Sequence, residues 1–189
     1  MKRWFLRLLF LCLALLVILL GIKHQREHRF DKFIVPSALK YKTSPALVKA
    51  IIWQESRFNP NAKGGAGEIG LMQIRSAAAH EWAAAEKITP FTHQQIFDPA
   101  QNIDAGTWYI AKLSRRYPHT DNPLVYALAD YNAGRGNVLR WIHGAGATNS
   151  SVFLEQMTYP GTRKYITNVL ERMEKYEPRF AKVVEARKQ

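Results

Sequence analysis

The sequence contains a single cysteine, Cys12, which lies inside an apolar segment near the N-terminus. A disulfide needs two cysteines and a cysteine metal site needs several, so neither is expected in the part of the chain beyond this segment. The residues Leu9 to Leu11 are bulkier than the small residues that precede the cysteine of a lipoprotein processing site. Lipidation of Cys12 is therefore not expected.

Acidic residues are also scarce, since 15 Asp and Glu face 27 Lys and Arg and the net charge is +12. The first 29 residues carry six of the basic residues and one acid, Glu27, which leaves +7 for the remainder. Such a charge favours an anionic partner without deciding between nucleic acid, phospholipid head groups and an acidic cell-wall polymer. A content of 47% hydrophobic and 22% charged residues excludes a disordered composition.

An apolar run occupies residues 8 to 22, between the basic residues Lys2, Arg3 and Arg7 and the polar stretch that begins at Lys23. This layout is typical of an export signal, but the run ends without the small residues of a cleavage site. Counted from Trp4, it approaches the roughly 20 residues that cross a bilayer. We therefore expect an uncleaved membrane anchor with its basic flank in residues 1–29 and one folded domain in residues 30–189. A cleaved signal is the alternative.

Strand-like alternation is nearly absent beyond residue 30, whereas helix-start and helix-stop signals recur. The pattern predicts a mainly α domain with four firm helices, and it indicates loops at Lys63 to Gly70 and His143 to Ser151. The helices are predicted from Ser44-Pro45 to about Phe58, from Asp98-Pro99 to about Tyr117, from Asn122-Pro123 to near Gly134, and from a cap at Thr162 onward.

Glu55 falls near the middle of an apolar stripe on the first of these helices. At about 100° per residue, the stripe is formed by Leu47, Val48, Ile51 and Ile52. A carboxyl group in such surroundings loses hydration, which raises its pKa toward the range that a general acid needs. Glu55 could instead pair with a nearby arginine or simply emerge at the helix end. A glycine-rich run from Lys63 to Gln73 follows and favours a ligand cleft, because glycine lets backbone approach a ligand closely.

Five stretches resemble the goose-lysozyme-like catalytic domain of bacterial lytic transglycosylases. They cover about residues 34 to 177 in family order, and this ordered set is highly specific. The stretches are Gln54-Glu55-Ser56-Arg57-Phe58-Asn59-Pro60, Gly70-Leu71-Met72-Gln73-Ile74, Asp98-Pro99 with Asn102-Ile103 and Gly106, Tyr131-Asn132-Ala133-Gly134, and Thr162-Arg163-Lys164-Tyr165-Ile166.

The resemblance implies a lysozyme-like fold in which Glu55 serves as both catalytic acid and catalytic base. It also implies substrate-binding positions near the sugars, in the cleft floor and beside the carboxylate. These positions are Ser56, Met72, Gln73, Tyr131, Asn132 and Tyr165. Packing remains the alternative for several of them, because the two tyrosines lie at helical core spacing, Met72 could fill the core and Asn132 could cap a helix.

The implied reaction is non-hydrolytic cleavage of the bond between N-acetylmuramic acid and N-acetylglucosamine in peptidoglycan, which leaves 1,6-anhydromuramic ends. No cofactor, metal or nucleic acid is expected. The implied partners are glycan strands, the cytoplasmic membrane and, as a candidate, a cell-envelope assembly. The charges flanking the apolar run are similar on both sides and do not fix its orientation. The chemistry implies a single-pass protein of the inner membrane with its domain in the periplasm.

Some positions depart from the family pattern. Gly161 stands where a Glu is usual, Arg75-Ser76 replaces a Met-Pro pair, and Asp130 occupies the place of a small residue. These departures keep open a second hypothesis, in which a non-catalytic scaffold uses the same cleft to position cell-wall strands. Glu68 and Asp130 are candidates for a second carboxylate, which would make the protein a hydrolase. The glycines at 65, 67 and 70 match a dinucleotide-binding spacing, but no strand precedes them.

Overall fold

The computed structural model describes residues 2–186, and over this range the chain is mainly α-helical, as the sequence predicts. Extended pairing within the described residues is limited to isolated bridges from Ile69 to Lys63 and Ile74. The α-helices are α1 (Lys2–His28), α2 (Asp31–Lys40), α3 (Pro45–Ser56), α4 (Ser76–Ala85), α5 (Pro99–Ser114), α6 (Pro123–Ala133), α7 (Arg135–Trp141), α8 (Ser150–Gln156) and α9 (Pro160–Ala186), and two 3-10 helices span His93–Phe97 and Gly144–Ala147.

The predicted starts of α3, α5 and α6 are confirmed, and a proline occupies the first turn of each. The Ser44 side chain accepts a hydrogen bond from the Leu47 N–H at 3.3 Å, and the Asp98 side chain accepts one from the Gln101 N–H at 2.9 Å. Both bonds satisfy N–H groups that lack a partner within the helix.

The prediction that Thr162 caps the last helix is wrong. Helix α9 begins at Pro160, so Thr162 lies within its first turn, and its hydroxyl donates to Asn132 Oδ1 at 2.9 Å. Four helices of the domain, α2, α4, α7 and α8, were also not predicted. The second predicted loop, His143 to Ser151, contains a 3-10 helix and the first residues of α8.

Helix α3 lies at the centre of the domain, where it packs along α9 and also contacts α2 and α5. Its predicted apolar stripe is buried, with Leu47 3% exposed and Val48, Ile51 and Ile52 fully buried. Removal of this surface from water is the main force that fixes the helix in the core. Because α3 is held on several sides, its last turn can place a polar side chain with little freedom.

A buried lysine joins the end of α1 to the domain. Lys49 is fully buried, and its ammonium group donates to Asp31 Oδ1 at 2.5 Å and contacts His28 Nδ1 at 2.8 Å. Burial lowers the pKa of Lys49, although Asp31 opposes the shift. Arg179 of α9 also bonds to Asp31 at 2.5 Å. These contacts connect α1, α2, α3 and α9 at one end of the domain.

Helix α1 is long and apolar enough to cross a membrane, a property that it shares with export signals. Its apolar side chains are exposed along much of its length, from Trp4 (76%) to Ile22 (58%). A soluble protein would be expected to cover so continuous an apolar surface. Length, composition and exposure together suggest membrane anchoring.

Candidate active site

The last turn of α3 places Glu55 in the wall of a cleft. Immediately after it, Arg57 and Phe58 both adopt left-handed backbone conformations, with φ of 51° and 62°, and they end the helix abruptly. Phe58 then turns back into the core. The cleft is lined by residues from α3, the glycine-rich loop, α4, α5 and α6, namely Glu55, Glu68, Gln73, Ile74, Arg75, Ala77, Ala78, Tyr109, Asp130, Tyr131, Asn132, Ala133 and Gly134.

Glu55 is partly buried, and burial raises the pKa of its carboxyl group to about 7. The Tyr165 hydroxyl donates to Glu55 Oε1 at 2.7 Å, which opposes this shift, while the negative charge of Glu68 adds to it. A group with a pKa near 7 is partly protonated at neutral pH and can both give and accept a proton. This is the chemistry that the position of Glu55 in the apolar stripe predicts.

The alternative in which Glu55 pairs with Arg57 is not what the structure shows. The Arg57 guanidinium lies over the ring of Trp53, 3.3 Å from its centroid, and donates to the Trp53 carbonyl. The guanidinium of Arg172, from α9, lies 3.7 Å from the centroid of the same ring. Trp53 precedes Glu55 by two residues, which places it on the other face of α3. The nearest arginine in sequence is therefore held away from the carboxyl group.

The glycine-rich loop folds into a compact wall beside Glu55. Its second half is closed by a pairing of Ile69 with Ile74, each of which donates its N–H to the carbonyl of the other, at 3.2 and 3.0 Å. Gly64 donates to the Glu68 carbonyl at 2.7 Å, and a Cβ on Gly64 would lie 2.5 Å from Glu68 Oε2 and 2.9 Å from Gln73 Oε1. A glycine at 64 thus allows the two polar side chains to fold over the loop.

Asn102, fully buried on α5, holds this loop to the core. Its amide donates to the carbonyls of Ile69 and Ile96 at 2.9 and 3.0 Å, and its Oδ1 accepts from the Met72 N–H at 2.7 Å. Gly70 adopts a φ of 81°, and a Cβ there would lie 2.0 Å from the Asn102 amide nitrogen. This contact explains why the asparagine and the glycine occur together in the matching motifs.

Three of the predicted substrate-binding residues line the cleft. Gln73, with a left-handed φ of 48°, donates to the carbonyls of Ala62 and Gly70 at 3.2 and 2.9 Å. The Tyr131 hydroxyl donates to the Met72 carbonyl at 2.8 Å, and Asn132 Oδ1 accepts from the Thr162 hydroxyl of α9 at 2.9 Å. These bonds fix the three side chains in the cleft lining.

The other predicted residues lie behind the cleft wall. The Ser56 hydroxyl donates to the backbone carbonyls of Leu71 and Ile52 at 2.7 and 3.1 Å, and the Met72 side chain is fully buried against Gly106. Tyr165 is 5% exposed and reaches the site through its bond to Glu55. Tyr165 is therefore packed in the core and also contacts the Glu55 carboxyl group, whereas Ser56 and Met72 make contacts that hold the wall.

Two further carboxylates line the cleft, and both are engaged by arginines. Asp130 is 2% exposed, and its Oδ2 accepts bonds from Arg116 Nη1 at 2.9 Å and from the Tyr117 hydroxyl at 2.8 Å. This pairing accounts for an acidic residue where the family pattern has a small one. Glu68 bonds to Arg75 through Oε1. The bonds to Glu68 help to hold the pKa of this carboxyl group below its usual value, although burial opposes the shift.

Sequence reasoning assigned no role to Arg75 or Tyr109, although both line the cleft. In the sequence, Arg75 stands out only as a departure from the family pattern. Tyr109 packs its ring 5.6 Å from that of Tyr131. Tyr109 follows Gly106 of the matching stretch on α5 by three residues, and this spacing was the only sign of its role in the sequence. A single matching stretch does not indicate which face of a helix lines a cleft.

The described residues thus form a helical core with a cleft beside a glycine-rich loop, and the Glu55 carboxyl group in this cleft has no arginine or lysine partner among them. The chain belongs to the family described as Transglycosylase SLT domain, which matches residues 33–154. This confirms the resemblance noted in the sequence and, with the structural neighbours below, the lysozyme-like fold.

Curated relatives include a soluble lytic murein transglycosylase of Escherichia coli strain K12. It is 36% identical over 123 residues, which cover 64% of this chain and 19% of the relative. A membrane-bound lytic murein transglycosylase C of Klebsiella pneumoniae is 38% identical over 122 residues, covering 61% of this chain and 34% of the relative. The chain thus spans between about a fifth and a third of the length of these relatives.

Among solved structures, an inactive mutant of the lytic transglycosylase Slt from Pseudomonas aeruginosa superposes with a TM-score of 0.71. The sequences are 29% identical, and the match covers 79% of this chain and 24% of that one. The 70 kDa soluble lytic transglycosylase of Escherichia coli gives a TM-score of 0.69 at 29% identity, with 78% and 24% covered. The similarity therefore concerns the domain that carries Glu55.

Proposed function

We propose that this chain cleaves the glycosidic bond between N-acetylmuramic acid and N-acetylglucosamine in peptidoglycan without consuming water, and that it contributes in this way to cell-wall remodelling. The observation that carries the proposal is the carboxyl group of Glu55, which lies in the cleft with a pKa of about 7 and without an arginine or lysine partner among the described residues. Family membership and the named relatives support the same reaction.

In the first step, Glu55 donates its proton to the glycosidic oxygen, and the bond to the muramic acid carbon breaks. The acetamido group of the substrate stabilises the positive charge that develops on this carbon. In the second step, the Glu55 carboxylate accepts the proton of the 6-hydroxyl, whose oxygen bonds to the same carbon. Glu55 returns to its protonated form, and the product carries a 1,6-anhydro ring.

Hydrolysis by the usual pair of carboxyl groups is less well supported. Such enzymes need a second carboxylate that attacks the sugar or activates water. Glu68 and Asp130 are the other acidic residues that line the cleft, and both are bonded to arginines. These bonds occupy carboxylate oxygens that would otherwise attack the sugar carbon or accept a proton from water.

For the remaining site residues, the contacts support three kinds of role. Gln73, Tyr131 and Asn132 contact the glycan directly, since they line the cleft. Tyr165 orients the Glu55 carboxyl group. Ser56 and Met72 act on the substrate only through the loop that they hold, because the Ser56 hydroxyl is bonded to backbone and the Met72 side chain is buried.

The proposed location is the cytoplasmic membrane, crossed once by α1, with the domain on the outer side. The apolar exposed helix and the membrane-bound relatives support anchoring, and the substrate supports the outer side. Contact with a cell-envelope assembly would follow naturally from this position. Protease added to intact spheroplasts should digest the domain, and protection of the domain would contradict the outer location.

The proposed reaction can be tested by digesting purified peptidoglycan with the full chain in water enriched in oxygen-18. Products with 1,6-anhydro ends and no heavy oxygen are expected, because no water enters the reaction. Reducing ends that carry heavy oxygen would identify a hydrolase. Binding of the glycan without any cleavage would favour the scaffold hypothesis.

Cleavage is expected to fall as the pH rises through about 7, because Glu55 must be protonated for the first step. This fall forms the alkaline limb of the pH–rate profile, and two variants should move the limb in opposite directions. Tyr165→Phe removes a bond that lowers the pKa of Glu55, so the limb should move to higher pH. Glu68→Gln removes a negative charge that raises this pKa, so the limb should move to lower pH. Profiles of kcat/KM against pH measure both shifts, and two shifts of the same sign would contradict this electrostatic description.

A further inference from the structure

Arg75 occupies a fixed position at the cleft for which the reaction itself has no use. Its backbone, with φ of −78° and ψ of 154°, forms the N-cap of α4, and its side chain lines the cleft while remaining 64% exposed. The reaction needs one proton-transferring carboxyl group, and Arg75 carries a permanent positive charge. The charge must therefore serve another purpose or merely solubilise the surface.

Glu68 holds one edge of the Arg75 guanidinium. Glu68 Oε1 accepts bonds from Nε at 2.7 Å and from Nη2 at 2.5 Å. Glu68 is itself anchored, since its Oε2 accepts from the Ala66 N–H at 3.0 Å and its carbonyl accepts from Gly64. Burial alone would raise the pKa of Glu68, but these bonds hold it below its usual value. The arginine is thus positioned by a carboxylate that stays ionised.

The other edge of the guanidinium, which includes Nη1, has no hydrogen-bond partner within residues 2–186. A guanidinium edge with two parallel N–H donors matches the two oxygens of a carboxylate. Because Glu68 limits the rotation of the side chain, less conformational entropy is lost when this free edge binds a ligand.

Carboxylates distinguish the parts of a peptidoglycan strand. The linked sugars are neutral, whereas the short peptides attached to muramic acid end in, and carry along their length, free carboxylates. If the peptide is removed, the lactyl group of muramic acid exposes a carboxylate of its own. A cation fixed at the edge of a glycan cleft can therefore distinguish strands by the acid that they carry.

We propose that Arg75, positioned by Glu68, binds a carboxylate of the glycan substrate and makes the cleft prefer acid-bearing strands. The inference rests on the proposed function, since it assumes that the cleft holds a glycan. Arg75 acts here as a specificity-determining residue, and the proton transfers remain those of Glu55. The pair is accessible to solvent, so the expected preference is modest, about threefold to tenfold in affinity.

The test measures binding by the full chain in detergent, with Glu55→Gln present throughout so that no ligand is cleaved. The ligands are glycan fragments with intact peptides, the same fragments after their carboxylates are converted to amides, and fragments without peptides that expose the lactyl carboxylate. The measured quantity is the ratio of the dissociation constants for the amide and acid forms. A role limited to folding or cleft shape would weaken both forms together and leave this ratio unchanged.

Arg75→Gln should bring the ratio close to one, and Arg75→Lys should restore it in part, because lysine retains the charge but not the paired donors. Lys42→Gln is the control, since it removes one charge in the turn before α3, at the opposite end of that helix from Glu55, and it should keep the full ratio. Dependence on Arg75 with peptide-bearing fragments assigns the carboxylate to the peptide, and dependence with peptide-free fragments assigns it to the lactyl group.

A ratio that Arg75→Gln leaves unchanged would overturn the inference, as would equal losses of affinity for the acid and amide forms. Either result would leave the proposed reaction intact, because cleavage is assayed separately with Glu55 present. Conversely, a chain that binds acid-bearing glycan through Arg75 but never cleaves it would contradict the proposed reaction and support this inference.

Discussion

Glu55→Gln is expected to reduce peptidoglycan cleavage by about a thousandfold or more, since a positioned acid or base typically contributes 10²–10⁴-fold and Glu55 is assigned both roles. The glutamine amide has the same shape as the carboxyl group and can still accept the Tyr165 hydrogen bond, but it cannot transfer a proton. Release of soluble fragments from purified peptidoglycan measures the effect. Glu155→Gln, on the exposed surface of α8, is the matched control and should retain full activity.

The same variant should be more stable than the parent chain at high pH. The pKa of Glu55 is raised from 4.5 to about 7 on folding, so the folded state binds more protons between these values. Stability that depends on Glu55 is therefore present below about pH 4.5 and is lost as the pH rises through 7. At pH 8, Glu55→Gln should gain roughly 2 to 4 kcal/mol, whereas at pH 4 the two proteins should be similar. Thermal unfolding at both pH values measures this difference.

A loss of stability in Glu55→Gln at both pH values would contradict the assignment of the raised pKa to burial. It would also mean that lost cleavage reflects damage to the fold. The combination of lower activity and higher stability is expected where a buried ionisable group serves catalysis.

Asn102→Ala is expected to destabilise the domain by about 2 to 4 kcal/mol. The substitution removes three buried hydrogen bonds and leaves the Ile96 carbonyl and the Met72 N–H without partners, while the Ile69 carbonyl keeps only its bond from Ile74. Cleavage should fall as well, because Tyr131 and Gln73 are both bonded to the loop that Asn102 holds. Denaturant unfolding measures the free energy of unfolding.

Asn168→Ala provides the comparison for Asn102→Ala. The Asn168 amide makes one partly buried bond, to Gln54 at 3.3 Å, so its loss should cost less than about 1 kcal/mol. Equal effects of the two substitutions would show that Asn102 does not hold the loop in the way its contacts indicate.

The helices that the sequence predicts are those with capping residues and a proline at the start, such as Ser44-Pro45 for α3 and Asp98-Pro99 for α5. Helices α7 and α8 have seven residues each, too few to show a helical period. Helix α2 starts after Phe30 without a side-chain cap and contains Pro36, which reads as a stop signal. Thr162 was misassigned because Pro160 already starts α9 two residues earlier.

Glu55 could be identified from local sequence because its apolar surroundings lie on its own helix. Of the two side chains that tune its pKa, Glu68 lies in the loop after α3, whereas Tyr165 lies 110 positions away. The position of Tyr165 beside the Glu55 carboxyl group could be predicted only from the family resemblance. The pairing of Asp130 with Arg116 was not predicted either, since it depends on how α5 and α6 pack together. Local patterns indicate which residue is unusual, but they do not name its partners.

The proposed reaction depends on a Glu55 carboxyl group that keeps its proton near neutral pH. Infrared titration of the carboxyl C=O band, taken as the difference between the parent chain and Glu55→Gln, measures this directly. The band of Glu55 is expected to disappear with a midpoint near pH 7. A midpoint near 4.5, the ordinary value for glutamate, would contradict the proposed acid–base role.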